Sequence, residues 1–309
     1  MTALEVRDLV KDYRIRSGLR SSTLRAVDHV SFTLTPGRTV ALVGESGSGK
    51  STVAKMIARL EKPTGGQIIA TKPDGRPVGN REYRDHVQMV FQDPFASLNP
   101  FHTIEHHIAR PLRLHGVTRG GAETRKRVEQ LLERVNLTPA GTIAPRRPHE
   151  LSGGQRQRVA IARALAPGAK VVVADEPVSM LDVSIRLGVL NLLARLQRED
   201  NLAVLYITHD LATARHFSDE ILVMYRGHVV ERGPADDVIL TPQHSYTKLL
   251  AAAAPNPEER GRSLADSPGA IAPEDLTRTF DHHTKSWQTF EKARPIAAAV
   301  ANPAGGDTR

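Results

Sequence analysis

Gly44-Glu45-Ser46-Gly47-Ser48-Gly49-Lys50-Ser51-Thr52 follows the apolar run Val40-Ala41-Leu42-Val43, and this junction decides the fold class. Four apolar residues in a row suit a strand buried on both faces of a sheet. The loop matches G-x-x-x-x-G-K-[ST] in full. Beyond it, Val53, Met56, Ile57 and Leu60 fall at i, i+3, i+4 and i+7, which predicts a helix. Strand, glycine-rich loop and helix together let backbone N–H groups cradle phosphates. Lys50 then reaches the β- and γ-phosphates as a point charge, and Ser51 can ligate Mg²⁺. The chain therefore reads as α/β with a nucleotide triphosphate site.

A second phosphate-binding end lies roughly a hundred residues downstream, at Leu151-Ser152-Gly153-Gly154-Gln155. Ser152 is a good N-cap for a helix that should run until Pro167-Gly168, with Val159, Ala162 and Ala166 on one side. Free N–H groups, the positive dipole end and a serine hydroxyl meet there, and two glycines leave room for an anion. Val171-Val172-Val173-Ala174 is another buried-strand run and ends in Asp175-Glu176. Asp175 suits the role of holding Mg²⁺, directly or through water. Glu176, one residue on, can polarise a water for in-line attack on the γ-phosphate. Paired acids at a strand end are often mere surface charge; behind an apolar strand in a chain with a phosphate loop, that reading weakens.

Composition excludes more than it selects. The chain has 309 residues, 40% of them hydrophobic, and no cysteine. That rules out disulfides, thiolate metal sites and a cysteine-ligated iron–sulfur cluster. No apolar run is long enough to cross a bilayer, and Met1-Thr2-Ala3-Leu4-Glu5 lacks a signal-peptide pattern. The net charge of +8 would admit nucleic acid or an anionic membrane. Aromatics at 4% and scattered basic residues favour a solvated surface and no nucleic-acid partner. His102, His106, His107 and His115 could suggest a metal, but no carboxylate or thiolate completes a ligand spacing, and a solvated surface is the better reading.

Other stretches place these motifs. Leu4 to Arg7 and Val27 to Leu34 read as strands, with a polar surface loop from Arg16 to Arg25. Val87 to Phe91 is a strand, and Thr71 to Arg84 a variable loop. From Thr103 to Asn136 the pattern is helical, with Val128, Leu131, Leu132 and Val135 on one face. Ala203 to Ile207 is a third core strand delivering Thr208-His209-Asp210, and Ile221 to Tyr225 with His228 to Glu231 forms a closing hairpin about Arg226-Gly227.

The order Lys50, Gln92, Ser152, Asp175, Asp182, His209 resembles that of ATP-binding cassette (ABC) proteins throughout. The resemblance implies a P-loop NTPase fold: a RecA-like core, an antiparallel β subdomain and an inserted helical subdomain. In such proteins two cassettes stack head to tail, each offering its signature, here Leu151 to Gln155, to the other's ATP. It implies further roles: Tyr13 stacks on adenine, Gln92 meets Mg²⁺ and the attacking water, Asp182 lies in the D-loop crossing to the partner, and His209 bonds the γ-phosphate. Met180 stands where the family more often has a smaller residue.

More finely, Gln92-Asp93-Pro94-Phe95-Ala96-Ser97-Leu98-Asn99-Pro100, Pro148-His149-Glu150, Asp175-Glu176-Pro177-Val178-Ser179 and His244-Ser245-Tyr246-Thr247-Lys248-Leu249-Leu250 resemble the ATPase subunits of dipeptide and oligopeptide importers. Gln155-Arg156-Gln157-Arg158 looks like the second cassette of their two-cassette pair. This implies two membrane permeases, a second cassette in a heterodimer, an extracytoplasmic solute-binding protein acting indirectly, and a peripheral place on the cytoplasmic face of the cell membrane. Two departures stand out: many relatives carry a cysteine-rich C-terminal cluster site, and Ser245 replaces the usual proline. Other solutes, such as nickel or glutathione, are served by similar cassettes. A soluble cassette acting on ribosomes or DNA usually has two cassettes or zinc cysteines. Residues 1–256 are expected to form the cassette, with the helical subdomain at 93–165, and residues 257–309 a mobile tail without an assigned function; Asp281-His282-His283 could bind metal, but a mobile polar tail is the plainer reading.

Overall fold

In the computed structural model, which describes residues 3–17, 20–253 and 271–289, two sheets carry the chain. The strands are β1 (Leu4–Ser17), β2 (Arg20–Leu34), β3 (Thr39–Val43), β4 (Gly65–Ala70), β5 (Val87–Val90), β6 (Val171–Asp175), β7 (Ala203–Thr208), β8 (Glu220–Tyr225), β9 (His228–Pro234), β10 (Arg278–Asp281) and β11 (Ser286–Thr289). The helices are α1 (Lys50–Ile57), α2 (Tyr83–His86), α3 (Pro94–Ser97), α4 (Ile104–Leu114), α5 (Gly121–Arg134), α6 (Ala140–Ile143), α7 (Gly153–Leu165), α8 (Val183–Glu199), α9 (Leu211–Phe217), α10 (Ala235–Leu240) and α11 (Ser245–Ala253). The larger sheet runs β11-β10-β9-β8-β3-β7-β6-β5, and its parallel centre is β8-β3-β7-β6-β5. The smaller sheet, β2-β1-β4, is antiparallel.

The centre of the large sheet reads as continuous apolar sequence because both its faces are covered. Side chains on a strand alternate between faces, and here they feed two cores. Ala41, Val43, Val172, Ala174, Val204 and Tyr206 pack with the helices α4, α5, α7 and α8. Val40, Leu42, Val171, Val173, Leu205 and Ile207 pack with α1 and the small sheet through Val53, Met56, Ile57, Leu4, Leu9 and Leu34. Elements α3 to α7 all lie between β5 and β6 in the chain. Arg134 ties this helical part to the end of α8, reaching both carboxylate oxygens of Asp200 at 2.8 and 2.7 Å. Among the described residues, no helix is long and apolar enough to cross a membrane.

Four expectations need correcting. Arg16, Ser17 and the residues from Arg20 to Arg25 are strand, not loop: β1 runs to Ser17 and β2 starts at Arg20, pairing Asp12 with Arg25, Tyr13 with Leu24 and Arg16 with Ser21. Leu60 lies beyond α1, which ends at Ile57, and is exposed. His107 is buried, with Nε2 bonded to the Asn99 carbonyl at 3.0 Å, and does not belong to a solvated surface. The expected mobile tail is folded over residues 271–289, where β10 lies parallel to β9 and pairs antiparallel with β11. Its polar residues find buried partners: His282 Nε2 meets Glu231 Oε1 at 2.7 Å. The rest of that expected tail, 257–270 and 290–309, lies outside the described residues.

Candidate active site

β3 leads straight into the phosphate loop, which closes on backbone geometry that only glycine takes easily. Gly49, at φ +110, sits where a Cβ would lie 2.3 Å from the Ala26 carbonyl oxygen. Gly44, at φ +151, comes equally close to the Met224 carbonyl oxygen, at 2.2 Å. At Gly47 a Cβ would meet nothing within 4 Å, so that side of the loop is open. Gly227 N–H, from the β8–β9 turn, donates to the Ser48 carbonyl at 3.0 Å and braces the loop from below.

Lys50 opens α1 and is 5% exposed. Its ammonium donates to the loop carbonyls of Gly44 at 2.8 Å and Glu45 at 2.7 Å. Burial pulls its pKa down despite the opposing pull of Glu176, Asp175 and Glu45. A desolvated cation beside a ring of N–H groups fits a polyphosphate, which would restore the charge that burial penalises. Ser51 Oγ donates to Asp175 Oδ1 at 3.2 Å. Burial raises the Asp175 carboxyl, the Ser51 bond lowers it, Glu176 raises it and Lys50 lowers it; the net shift is upward. The Ser51 hydroxyl and the Asp175 carboxylate form a hard-oxygen donor pair suited to Mg²⁺.

Glu176 leaves the end of β6 with φ +44, a left-handed conformation that is strained for a side chain of its size. Its N–H donates to the Ile207 carbonyl at 2.9 Å, and its carbonyl accepts from Ser179 Oγ at 3.0 Å. Both carboxylate oxygens are held. Gln92 Nε2 donates to Oε2 at 3.0 Å, and His209 Nδ1 lies 3.3 Å from Oε1. Loops after β5, β6 and β7 thus bring Gln92, Glu176 and His209 to one point above the ends of parallel strands, the crevice where open α/β sheets bind ligands.

The signature residues make their contacts elsewhere. Ser152 Oγ accepts from Gln155 N–H at 3.3 Å, and Gln155 Oε1 accepts from Ser152 N–H at 2.9 Å, a reciprocal cap on α7. The Ser152 side chain is exposed, and its own O–H remains a donor for an incoming oxygen. Leu151 is buried, while Gly153 and Gly154 lie against Leu181 and Ile185. Asp182 precedes α8 with an exposed side chain that makes no capping bond. Tyr13 is half-buried on β1 with the Lys11 ammonium 4.9 Å from its ring centre. One residue near the loop was not anticipated: the Tyr246 hydroxyl accepts from Glu45 N–H at 2.9 Å. Their separation of 201 positions in the chain leaves no local signal.

The family model described as ABC transporter matches residues 27–179. The chain is 50% identical over 258 residues to the glutathione import ATP-binding protein GsiA of Escherichia coli strain K12, a match covering 82% of this chain and 41% of that protein. The GsiA of Salmonella typhimurium is 49% identical over the same shares. The chain therefore spans less than half the length of these relatives. Among solved structures, a dimeric ATP-binding cassette in a post-hydrolysis state with ADP and Pi superposes with a TM-score of 0.63 at 32% identity, covering 75% of this chain and 98% of that one. The cbiO1 protein of Clostridium perfringens, part of the ABC transporter complex cbiONQ, gives 0.65 at 27% identity over 78% of this chain and 91% of that one. The chain belongs to the ABC transporter family, and its fold is that of the family's ATP-binding cassette.

Proposed function

We propose that this chain is the ATP-hydrolysing subunit of an ABC importer, working through two membrane permeases and a second cassette at the cytoplasmic face of the cell membrane to drive uptake of a small peptide. The observation that carries the reading is the Glu176 carboxylate, held on one oxygen by Gln92 and on the other by His209, beside the Ser51–Asp175 pair. The peptide class is supported by the name of the relatives, glutathione being a small peptide, and by the stretches quoted above.

Ser51, Asp175 and Gln92 would hold Mg²⁺, which would supply positive charge to the phosphates. Lys50 supplies fixed positive charge to the same phosphates. Glu176 accepts a hydrogen bond from water and draws off its proton as the oxygen attacks. Gln92 keeps the carboxylate turned toward the site, and His209 can pass from the carboxylate to a phosphate oxygen. Ser152 and the N–H groups of α7 would close on ATP held by the partner cassette. Hydrolysis removes those shared contacts and the pair reopens. Leu114, exposed, lines a groove of about 520 Å³ with His102, His106, Arg110 and Pro111, and with the exposed Phe101 it offers a permease a seat.

The test is purification from solubilised membranes, followed by ATPase measurements in proteoliposomes with dipeptides, glutathione or Ni²⁺ added with the cognate binding protein. Co-purifying permeases and stimulation by a peptide support the reading. Stimulation by Ni²⁺ alone, or the absence of any membrane partner, contradicts it.

A further inference from the structure

We infer that Tyr246, locked by the C-terminal segment 271–289, is a positioning residue for the phosphate loop. The inference rests on reading Gly44 to Thr52 as the nucleotide site. Glu45 is the link: its N–H donates to the Tyr246 hydroxyl at 2.9 Å, while its carbonyl accepts from the Lys50 ammonium at 2.7 Å. The Tyr246 ring also lies 4.3 Å from that of Tyr225. Two residues beyond Tyr225, Gly227 N–H donates to the Ser48 carbonyl at 3.0 Å. One buried ring thus touches the loop by two routes. Burial pushes the Tyr246 hydroxyl up to about 12, so it remains a neutral acceptor.

Behind Tyr246 lies a closed polar hub. Tyr246 N–H donates to His244 Nδ1 at 3.1 Å, which leaves Nε2–H to donate to the Asp275 carbonyl at 2.9 Å and fixes His244 as the neutral tautomer. Glu231 Oε2 accepts from His244 N–H at 3.1 Å, and Oε1 accepts from Gln243 N–H at 2.8 Å and meets His282 Nε2 at 2.7 Å. His244 and Glu231 are both 0% exposed. Ser245 adds two bonds: its N–H donates to Asp275 Oδ2 at 2.9 Å, and its Oγ accepts from Ala272 N–H at 3.1 Å. A proline could make neither. Residues 272, 275 and 282 therefore hold the turn that holds Tyr246. A hydrogen-bonded network built around buried groups such as His244 and Glu231 is rigid, and losing one member loosens the rest.

Two variants of the full chain test this. Tyr246→Phe keeps the ring and removes the acceptor; Ser245→Pro removes both bonds to the segment at a first-turn position that tolerates proline. Each is read by the Kd of a fluorescent ATP analogue with Mg²⁺, by hydrogen exchange over peptides containing Glu45, and by single-turnover hydrolysis at saturating ATP. Both should weaken binding about 3- to 10-fold, the equivalent of one hydrogen bond, and speed exchange in the loop. Hydrolysis at saturation should hold near the parent rate, the pattern of lost binding as opposed to lost chemistry. The double variant should bind no worse than Tyr246→Phe, because Ser245 acts through Tyr246. Parent-like affinity and exchange in both variants would overturn the inference. A parent chain that binds no ATP would overturn the nucleotide reading instead, and the exchange measurement would still decide the role of Tyr246.

Discussion

Gln92 Nε2 and Glu176 Oε2 lie 3.0 Å apart across 84 residues of chain, the loop after β5 reaching the end of β6. The bond orients the acid without neutralising it. Gln92→Ala should therefore lower kcat about 10- to 100-fold while leaving the Kd for ATP near its parent value. Stopped-flow binding and steady-state phosphate release separate the two. A change in Kd alone would show that Gln92 serves binding and does not position Glu176.

Asp175 should trade stability for function. Burial raises its carboxyl above the usual 3.8, so the folded chain holds that proton more tightly than the unfolded chain does. Ionisation then costs stability as pH climbs from the unfolded value through the folded one. Asp175→Asn removes the cost and should stabilise the nucleotide-free chain by about 1 kcal/mol at neutral pH. The gain should shrink to nothing as the pH falls below the usual carboxylate range, and stabilisation by Mg²⁺ with ATP should be lost. Denaturant unfolding across pH measures this; a less stable nucleotide-free Asp175→Asn chain would contradict it.

The phosphate-loop glycines should differ in what they tolerate. Gly49→Ala puts a methyl 2.3 Å from the Ala26 carbonyl oxygen, at a φ of +110, and should cost about 2 kcal/mol or more. Gly47→Ala meets no neighbour within 4 Å and should cost about 1 kcal/mol, the left-handed penalty alone. Urea titration of both gives the order; equal losses would mean that the loop relaxes around the added methyl.

What the sequence made legible was local or periodic. β3, its loop and α1 are contiguous, and the reciprocal cap of Ser152 and Gln155 is written three residues apart. Elements lacking an apolar period escaped. The far halves of β1 and β2 project with Arg14, Ile15 and Arg16 exposed, so no alternation betrays them. The segment 271–289 is held by pairs of high separation, His244 with Asp275 across 31 residues and Glu231 with His282 across 51. Window reading cannot see such pairs, and the same residues looked like a polar tail. His107 was misplaced for a similar reason: its partner is a backbone carbonyl, invisible as residue type.

The composite site makes a prediction about the partner. If the second cassette is a different chain, Ser152 faces ATP bound to that chain, while Lys50 holds ATP completed by the partner's signature. Ser152→Arg places bulk and charge at an exposed cap where a γ-phosphate would dock. Photolabelling of the assembled complex should show trapping lost on the partner and largely kept on this chain. A fully active complex containing only this cassette would contradict the heterodimer.

The most direct measurement concerns Glu176 itself. Glu176→Gln keeps the shape of the side chain and removes its capacity to take a proton from water. In the assembled complex with Mg²⁺ and radiolabelled ATP, the account predicts that the variant binds ATP as tightly as the parent, releases phosphate about 100-fold more slowly or worse, and retains uncleaved ATP through gel filtration in a closed pair of cassettes. Phosphate release by Glu176→Gln at close to the parent rate would contradict it.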